Sequence, residues 1–223
     1  MVARQGFSPA QLTYWSNNVQ GLNTPEECSH LHRRLWTAKA SVAFLQETHL
    51  RSGDAPKLEN QRFPLGFYAN HTDAKKAGVA ILFAHTTPFQ CTKTLADPNG
   101  RYLFLKGTIS DRVYTFACLY GPNKKHTFFS RTLAKLERFR EGLLVAAGDL
   151  KIPMEPHIDT SRGQSTIPTH CLRATILTQI GARGLLEGIP PRRSRLYLLL
   201  SGPRTLQSYR LHIHGPGISK PTA

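Results

Sequence analysis

Short apolar runs that each end at a polar residue fill the first 150 residues of the chain. A run of about four to eight apolar residues bounded by polar ones is typical of a buried β-strand. The candidate strands are residues 12–16, 41–45, 77–84, 101–109, 113–119 and 143–147. Helical segments are predicted after the first and the fifth of them. This alternation predicts an α/β fold with a high strand content.

The helix predicted after the first strand has a clear amino-terminal signal. Thr24 is the expected N-cap, Pro25 is the first helical residue, and Glu27 closes a capping box. Apolar residues then recur along one face. The second helix is predicted over residues 128–141, where apolar residues again recur at helical spacing.

The last third of the chain has a different character. From about residue 151 onward the hydrophobic pattern has no clear period, apart from a candidate helix over residues 171–180. We therefore expect an N-terminal extension over residues 1–9, one domain over residues 10–163, and a degenerate tail over residues 164–223.

Composition limits the classes of function. The formal net charge is +15 over 223 residues, which suggests a polyanionic partner such as nucleic acid, although a merely basic protein remains an equal alternative.

The four cysteines are scattered without a Cys-x-x-Cys pair, which argues against a zinc ribbon or a disulfide framework. No apolar run reaches the ~20 residues of a membrane span, and the first ten residues lack a secretory core. We expect an intracellular protein without a membrane partner.

Four polar residues stand at the ends of candidate strands. They are Asn18, Glu47, Tyr120 and Asp149. Side chains at strand ends of an α/β sheet project into a common crevice, where ligands usually bind. Glu47 and the amide oxygen of Asn18 suit a hard cation such as Mg²⁺, Asp149 could orient or deprotonate a water, and Tyr120 could stabilise a pentavalent phosphate. Taken singly, each residue is more often a solvated strand end, a rim residue or a turn.

The order of these residues with their neighbours carries a stronger signal. Along the chain stand Asn18-x-x-Gly21-Leu22-Asn23, Leu45-Gln46-Glu47-Thr48-His49, Lys76-Ala77-Gly78-Val79-Ala80-Ile81-Leu82, Tyr120-x-Pro122-Asn123 and Gly148-Asp149. Over about residues 10–163 this series resembles the apurinic-like endonuclease domain of LINE-type (non-LTR) retrotransposons, in the endonuclease/exonuclease/phosphatase superfamily. The resemblance implies a four-layered α/β sandwich of two mixed β-sheets flanked by helices, with its C-terminal part incomplete here.

The resemblance also implies a reaction and a set of roles. The reaction is metal-dependent hydrolysis of a DNA phosphodiester, with Mg²⁺ or alternatively Mn²⁺ and no small-molecule cofactor; a working protein would act in the nucleus. Asn18 and Glu47 would bind the metal ion, and Tyr120 and Asp149 would be catalytic. Two further residues, Asn123 and Lys151, would contact the substrate.

Departures from the family pattern weaken the predicted catalytic site. The family has Gly-Asp-Phe-Asn where this chain has a leucine and Lys151 after Asp149, and a lysine lacks the donor-acceptor geometry of an amide. Two later family segments, Val-Asp-x-Trp-Arg and Ser-Arg-Ile-Asp-(His/Tyr), are absent. We expect a degenerate endonuclease with little or no activity. The alternatives are a working endonuclease and a non-catalytic, basic nucleic-acid-binding module.

The missing segments can be written in the neighbouring reading frame. Back-translated with free third bases and read one base later, residues 195–201 can give Asp-Tyr-Thr-Phe-Phe-Ser. Residues 209–217 with their upstream neighbours can likewise give Tyr-Ser-Arg-Ile-Asp-Tyr, and residues 182–187 can give Leu-Val-Asp-x-Trp-Arg. We therefore hypothesise a single-base insertion or deletion between about residues 151 and 181.

Overall fold

The computed structural model describes residues 12–51, 58–122, 126–149, 196–200 and 207–210. Within these ranges the elements in chain order are β1 (Thr13–Asn18), α1 (Pro25–Thr37), β2 (Val42–Gln46), β3 (Leu65–Ala69), β4 (Val79–Phe83), β5 (Gln90–Ala96), β6 (Tyr102–Ile109), β7 (Arg112–Tyr120), α2 (His126–Phe139), β8 (Leu143–Asp149), β9 (Leu196–Leu200) and β10 (Gln207–Arg210). No helix among the described residues is both long enough and apolar enough to cross a membrane.

The strands form two mixed sheets. The first has the order β10-β1-β2-β4-β3 and the second the order β5-β6-β7-β8-β9. In each sheet a strand-helix-strand unit supplies a parallel pair: β1 with β2 around α1, and β7 with β8 around α2. The strands β3 to β7 otherwise pair antiparallel with their neighbours. The parallel units matter most for function, because their carboxyl ends lie at one edge of each sheet.

The two sheets pack face to face, and a helix covers the outer face of each. The central core contains apolar side chains from both sheets, with Phe116 of the second sheet contacting the rings of Phe44 and Phe83 of the first. A second core lies under α2, and a third lies under α1. The four layers are therefore helix, sheet, sheet and helix, which confirms the predicted fold class.

Alternation along β6 explains how one strand serves two cores. Leu103 and Leu105 face the central core, whereas Tyr102 and Phe104 face α2. Successive side chains of a strand point to opposite faces. One strand therefore contributes side chains to both cores.

The two helices predicted within the first 150 residues are present. The capping box at α1 is formed as expected, with Thr24 as the N-cap and the side chain of Glu27 accepting from its backbone. The second helix covers His126–Phe139 and thus begins before the predicted residues 128–141.

Four strands were not predicted. Strand β3 is only half-buried, and β5 is an exposed edge strand rich in polar residues, so neither has the apolar run that marks a buried strand. Strands β9 and β10 lie in the segment expected to be without regular structure. The candidate helix over residues 171–180 and the extension over residues 1–9 lie outside the described residues.

Candidate active site

The four predicted strand-end residues meet at one edge of the sandwich. Asn18 ends β1 and Glu47 directly follows β2, which is its parallel neighbour. Tyr120 ends β7 and Asp149 ends β8, and these two residues are direct partners in the parallel register. Each sheet thus contributes one pair, because the carboxyl ends of parallel neighbours lie side by side.

The Asn18 amide joins the two pairs across the sheets. Its Nδ2 donates to Oε1 of Glu47 at 2.7 Å and to Oδ2 of Asp149 at 2.7 Å. The Asp149 residue is almost fully buried, and 15% of the Glu47 side chain is exposed. Two carboxylates that would repel each other are therefore held against the same donor group.

The Asn18 oxygen has a partner of its own. Its Oδ1 accepts from the backbone N–H of Gln20 at 3.1 Å. This bond fixes the amide orientation, because the reversed amide would set two N–H donors against each other. Asn18 was predicted to bind a metal ion through its side-chain oxygen. In the structure, it is the side-chain nitrogen that faces the two carboxylates. A carbonyl oxygen has two lone pairs, so its second lone pair is the one that could serve a cation.

Glu47 has a backbone conformation that few side chains adopt. Its φ is 55°, and His49 has the same φ. Such left-handed residues cost free energy and persist where the surrounding structure holds them. The Glu47 carbonyl accepts from the N–H of Gly21 at 2.7 Å, and the His49 N–H donates to the Ala77 carbonyl at 2.9 Å. Neighbouring loops therefore fix the direction of the Glu47 side chain.

Tyr120 is tied to Asp149 and to a residue that sequence reasoning missed. The N–H of Gly121 donates to the Asp149 carbonyl at 2.8 Å, and the N–H of Tyr120 donates to the Arg101 carbonyl at 2.7 Å. The Arg101 guanidinium carbon lies 4.7 Å from the centre of the Tyr120 ring. The sequence signal was a single basic residue at the start of a predicted strand, which is too common to single out.

Gln46 directly precedes Glu47, and its buried side chain connects the two sheets. It is fully buried, and its Nε2 donates to Ser16 Oγ at 3.3 Å and to Cys118 Sγ of the other sheet at 3.4 Å. The Cys118 thiol also contacts the Leu45 carbonyl. Burial raises the pKa of this thiol to about 12, so it stays protonated and serves the contact between the sheets.

The two predicted substrate-binding residues, Asn123 and Lys151, lie outside the described residues. The other four predicted site residues, Asn18, Glu47, Tyr120 and Asp149, all lie at this edge of the sandwich.

The donor set at this edge fits a hard divalent cation. Such a cation is commonly held by one or two carboxylates together with neutral oxygens and waters, and Glu47, Asp149 and the Asn18 amide offer these groups. Among the described residues no group of three or more His, Cys, Asp or Glu side chains is arranged to hold a metal ion. The carboxylate and amide oxygens of the set are ligands of the kind that Mg²⁺ takes in proteins.

Comparison with known proteins identifies the fold. No protein-family model matches the chain. The chain is similar to the AP endonuclease LMAP from Leishmania major, with a TM-score of 0.60 and 16% identity over 78% of this chain and 68% of that one. It is also similar to the endonuclease domain of TRAS1, a telomere-specific non-LTR retrotransposon, with a TM-score of 0.53 and 15% identity over 76% of this chain and 71% of that one. The chain therefore shares the α/β sandwich fold of these two proteins.

Proposed function

We propose that this chain is a metal-dependent DNA endonuclease domain of retrotransposon origin with weak activity. The observation that carries the proposal is the amide of Asn18, which holds Glu47 and Asp149 together at the edge where Tyr120 ends its strand. The fold shared with the AP endonuclease and with the retrotransposon endonuclease domain supports the same reaction class.

The roles follow from the chemistry of each group. Glu47, with the remaining lone pair of the Asn18 oxygen, would hold Mg²⁺, which would supply Lewis-acid stabilisation of the phosphoryl oxygens. The Tyr120 hydroxyl would donate a hydrogen bond to the scissile phosphate. The Asp149 carboxylate would orient a water molecule and accept its proton.

Low activity is part of the proposal. The chain has Lys151 where the resemblance predicts an asparagine, and it lacks the two later family segments. Loss of one preorganised electrostatic group costs about 10²- to 10³-fold in rate. We therefore propose that the metal side is retained and that the side that activates water is incomplete.

Plasmid nicking by the full chain tests the proposal, with Glu47→Gln as the matched variant. The substitution keeps the size of the side chain and removes its charge. We expect slow nicking that requires Mg²⁺ or Mn²⁺ and that falls to background in the variant, since removal of a metal-binding carboxylate costs about 10²-fold or more. Nicking that persists in the variant or in EDTA would contradict the proposal.

A second candidate is a non-catalytic nucleic-acid-binding module. The net charge of +15 favours it, because a basic surface binds phosphates without regard to sequence. Salt-dependent duplex binding by a folded chain that shows no nicking at any divalent-cation concentration would favour this candidate over the endonuclease.

A further inference from the structure

Arg101 lies beside the candidate active site without an assigned role. It directly precedes β6, its carbonyl accepts from the N–H of Tyr120 at 2.7 Å, and its guanidinium lies over the Tyr120 ring at 4.7 Å. Tyr120 is in turn the register partner of Asp149. One backbone hydrogen bond and one ring contact therefore connect Arg101 to the residue expected to touch the phosphate.

The charge of Arg101 is not neutralised in the described part of the chain. The residue is only half-buried, and no described side chain forms an ion pair or a hydrogen bond with its guanidinium. The Asp97 carboxylate accepts from the Arg101 backbone N–H through Oδ2 at 3.1 Å, and no ion pair between Asp97 and the Arg101 guanidinium is formed among the described residues. A guanidinium that lies over an aromatic ring can still donate from its N–H groups, and their planar fork matches the oxygens of a phosphate.

The backbone around Arg101 is held firmly in place. Gly100 has a φ of 67°, and a Cβ at this position would meet the Gly78 nitrogen at 2.7 Å. The N–H of Gly78 donates to the Gly100 carbonyl at 3.1 Å, and the Gly78 carbonyl accepts from the N–H of Thr48 at 3.1 Å. A continuous backbone connection thus runs from Arg101 to the loop that carries Glu47, so the backbone of Arg101 keeps a fixed relation to the site.

We propose that Arg101 binds a non-bridging oxygen of a DNA backbone phosphate next to the scissile one. The Tyr120 ring holds the guanidinium in place, and the N–H donors at its edge contact the phosphate. The inference rests on the proposed function for the identity of the substrate. Arg101 precedes the start of β6, whereas the other site residues lie at or just after the ends of strands. The proposal therefore adds a substrate-binding residue from a different part of the second sheet.

Duplex binding by the full chain in EDTA tests Arg101 separately from catalysis. Fluorescence anisotropy of a labelled duplex is measured over a range of salt concentrations for the parent, Arg101→Gln and Arg112→Gln. The control removes the same charge from an exposed residue at the opposite end of β7. We expect Arg101→Gln to reduce the slope of log K against log salt by about 1 and to weaken binding several-fold, with the control close to the parent. Arg101→Lys, which keeps the charge without the planar fork, should lie between them.

The outcomes separate this inference from the proposed function. Equal slopes for the parent and Arg101→Gln, or equal losses in both glutamine variants, would overturn the role of Arg101 even if the parent nicks DNA. A selective loss in Arg101→Gln would support it even if the parent does not nick. Circular dichroism melts that overlap among the variants establish that each is folded.

Discussion

Asn18 is the residue on which the geometry of the site depends. A single amide nitrogen contacts carboxylates from both sheets, and the opposite end of the amide accepts from the Gln20 N–H. Each carboxylate loses part of its hydration at this position, so a donor or a cation must replace the lost water. The Asn18 amide supplies that donor.

Replacement of Asn18 by aspartate should therefore destabilise the protein in the absence of metal ions. Asn18→Asp removes both donated hydrogen bonds and adds a third carboxylate, which should lower the free energy of unfolding by about 2 kcal/mol. Added Mg²⁺ should restore much of this loss, because a cation bound to the native state stabilises it. Urea unfolding of the parent and the variant, with and without Mg²⁺, measures both effects.

A double variant provides the control for this prediction. Asn18→Asp combined with Glu47→Gln removes one of the three charges and should recover part of the stability without Mg²⁺. An Asn18→Asp variant as stable as the parent in EDTA would show that the carboxylates do not depend on the amide.

Helix α1 fixes the loop that follows Asn18. Its capping box uses Oε2 of Glu27 to accept from the N–H of Thr24 at 3.0 Å and from the N–H of Asn23 at 2.7 Å. The same loop donates from Gly21 and Leu22 to the carbonyls of the segment carrying Glu47. An ordered first turn of the helix thus restricts the loop between β1 and α1.

The pH dependence of stability should reveal this cap. The backbone N–H groups of Thr24 and Asn23 hold the pKa of Glu27 below its usual value of 4.5. The stabilisation is therefore complete above that value and is lost as the pH falls through the lowered pKa. Glu27→Gln should be less stable than the parent at neutral pH, and the difference should shrink in acid. Unfolding free energies measured from about pH 3 to about pH 6 test this.

Glu26→Gln serves as the control for the cap. It removes the same charge from the same helical turn, at a residue whose side chain makes no capping hydrogen bond among the described residues. This variant should keep the acid dependence of the parent. A constant difference between Glu27→Gln and the parent across the whole pH range would show that the charge of the cap does not matter.

At the scale of the whole molecule, the tail supplies two strands but not the two segments that the resemblance to the retrotransposon endonucleases leads us to expect. Strand β9 pairs with β8, and β10 pairs with β1, so each lies beside a strand that carries a site residue. Strand pairing uses backbone hydrogen bonds, which many sequences can form. Catalysis requires particular side chains, and those of the two absent family segments do not occur in this reading frame. A sandwich with five strands in each sheet is therefore compatible with the incomplete active site that we propose.

The coding DNA should explain this combination. If a single base was gained or lost between about codons 151 and 181, the frame one base later should encode Leu-Val-Asp-x-Trp-Arg over residues 182–187 and Tyr-Ser-Arg-Ile-Asp-Tyr near residues 209–217. Sequencing the gene across these codons is the measurement. A neighbouring frame that encodes neither segment would rule out the frameshift and leave the origin of the tail open to another account.

Local patterns in the sequence determined the strand ends, the α1 capping box and the two faces of β6. Hydrophobic periodicity and helix capping each depend on residues only a few positions apart, so both can be read from the sequence. The missed strands β3 and β5 lack such a pattern, since exposed or half-buried pairing is stabilised by backbone partners elsewhere in the chain. The tertiary structure alone decided that the Asn18 nitrogen meets Asp149, 131 residues away, and that the Arg101 guanidinium lies over the Tyr120 ring. Those contacts depend on how two sheets pack and on which way a single amide turns, and neither is expressed in local periodicity.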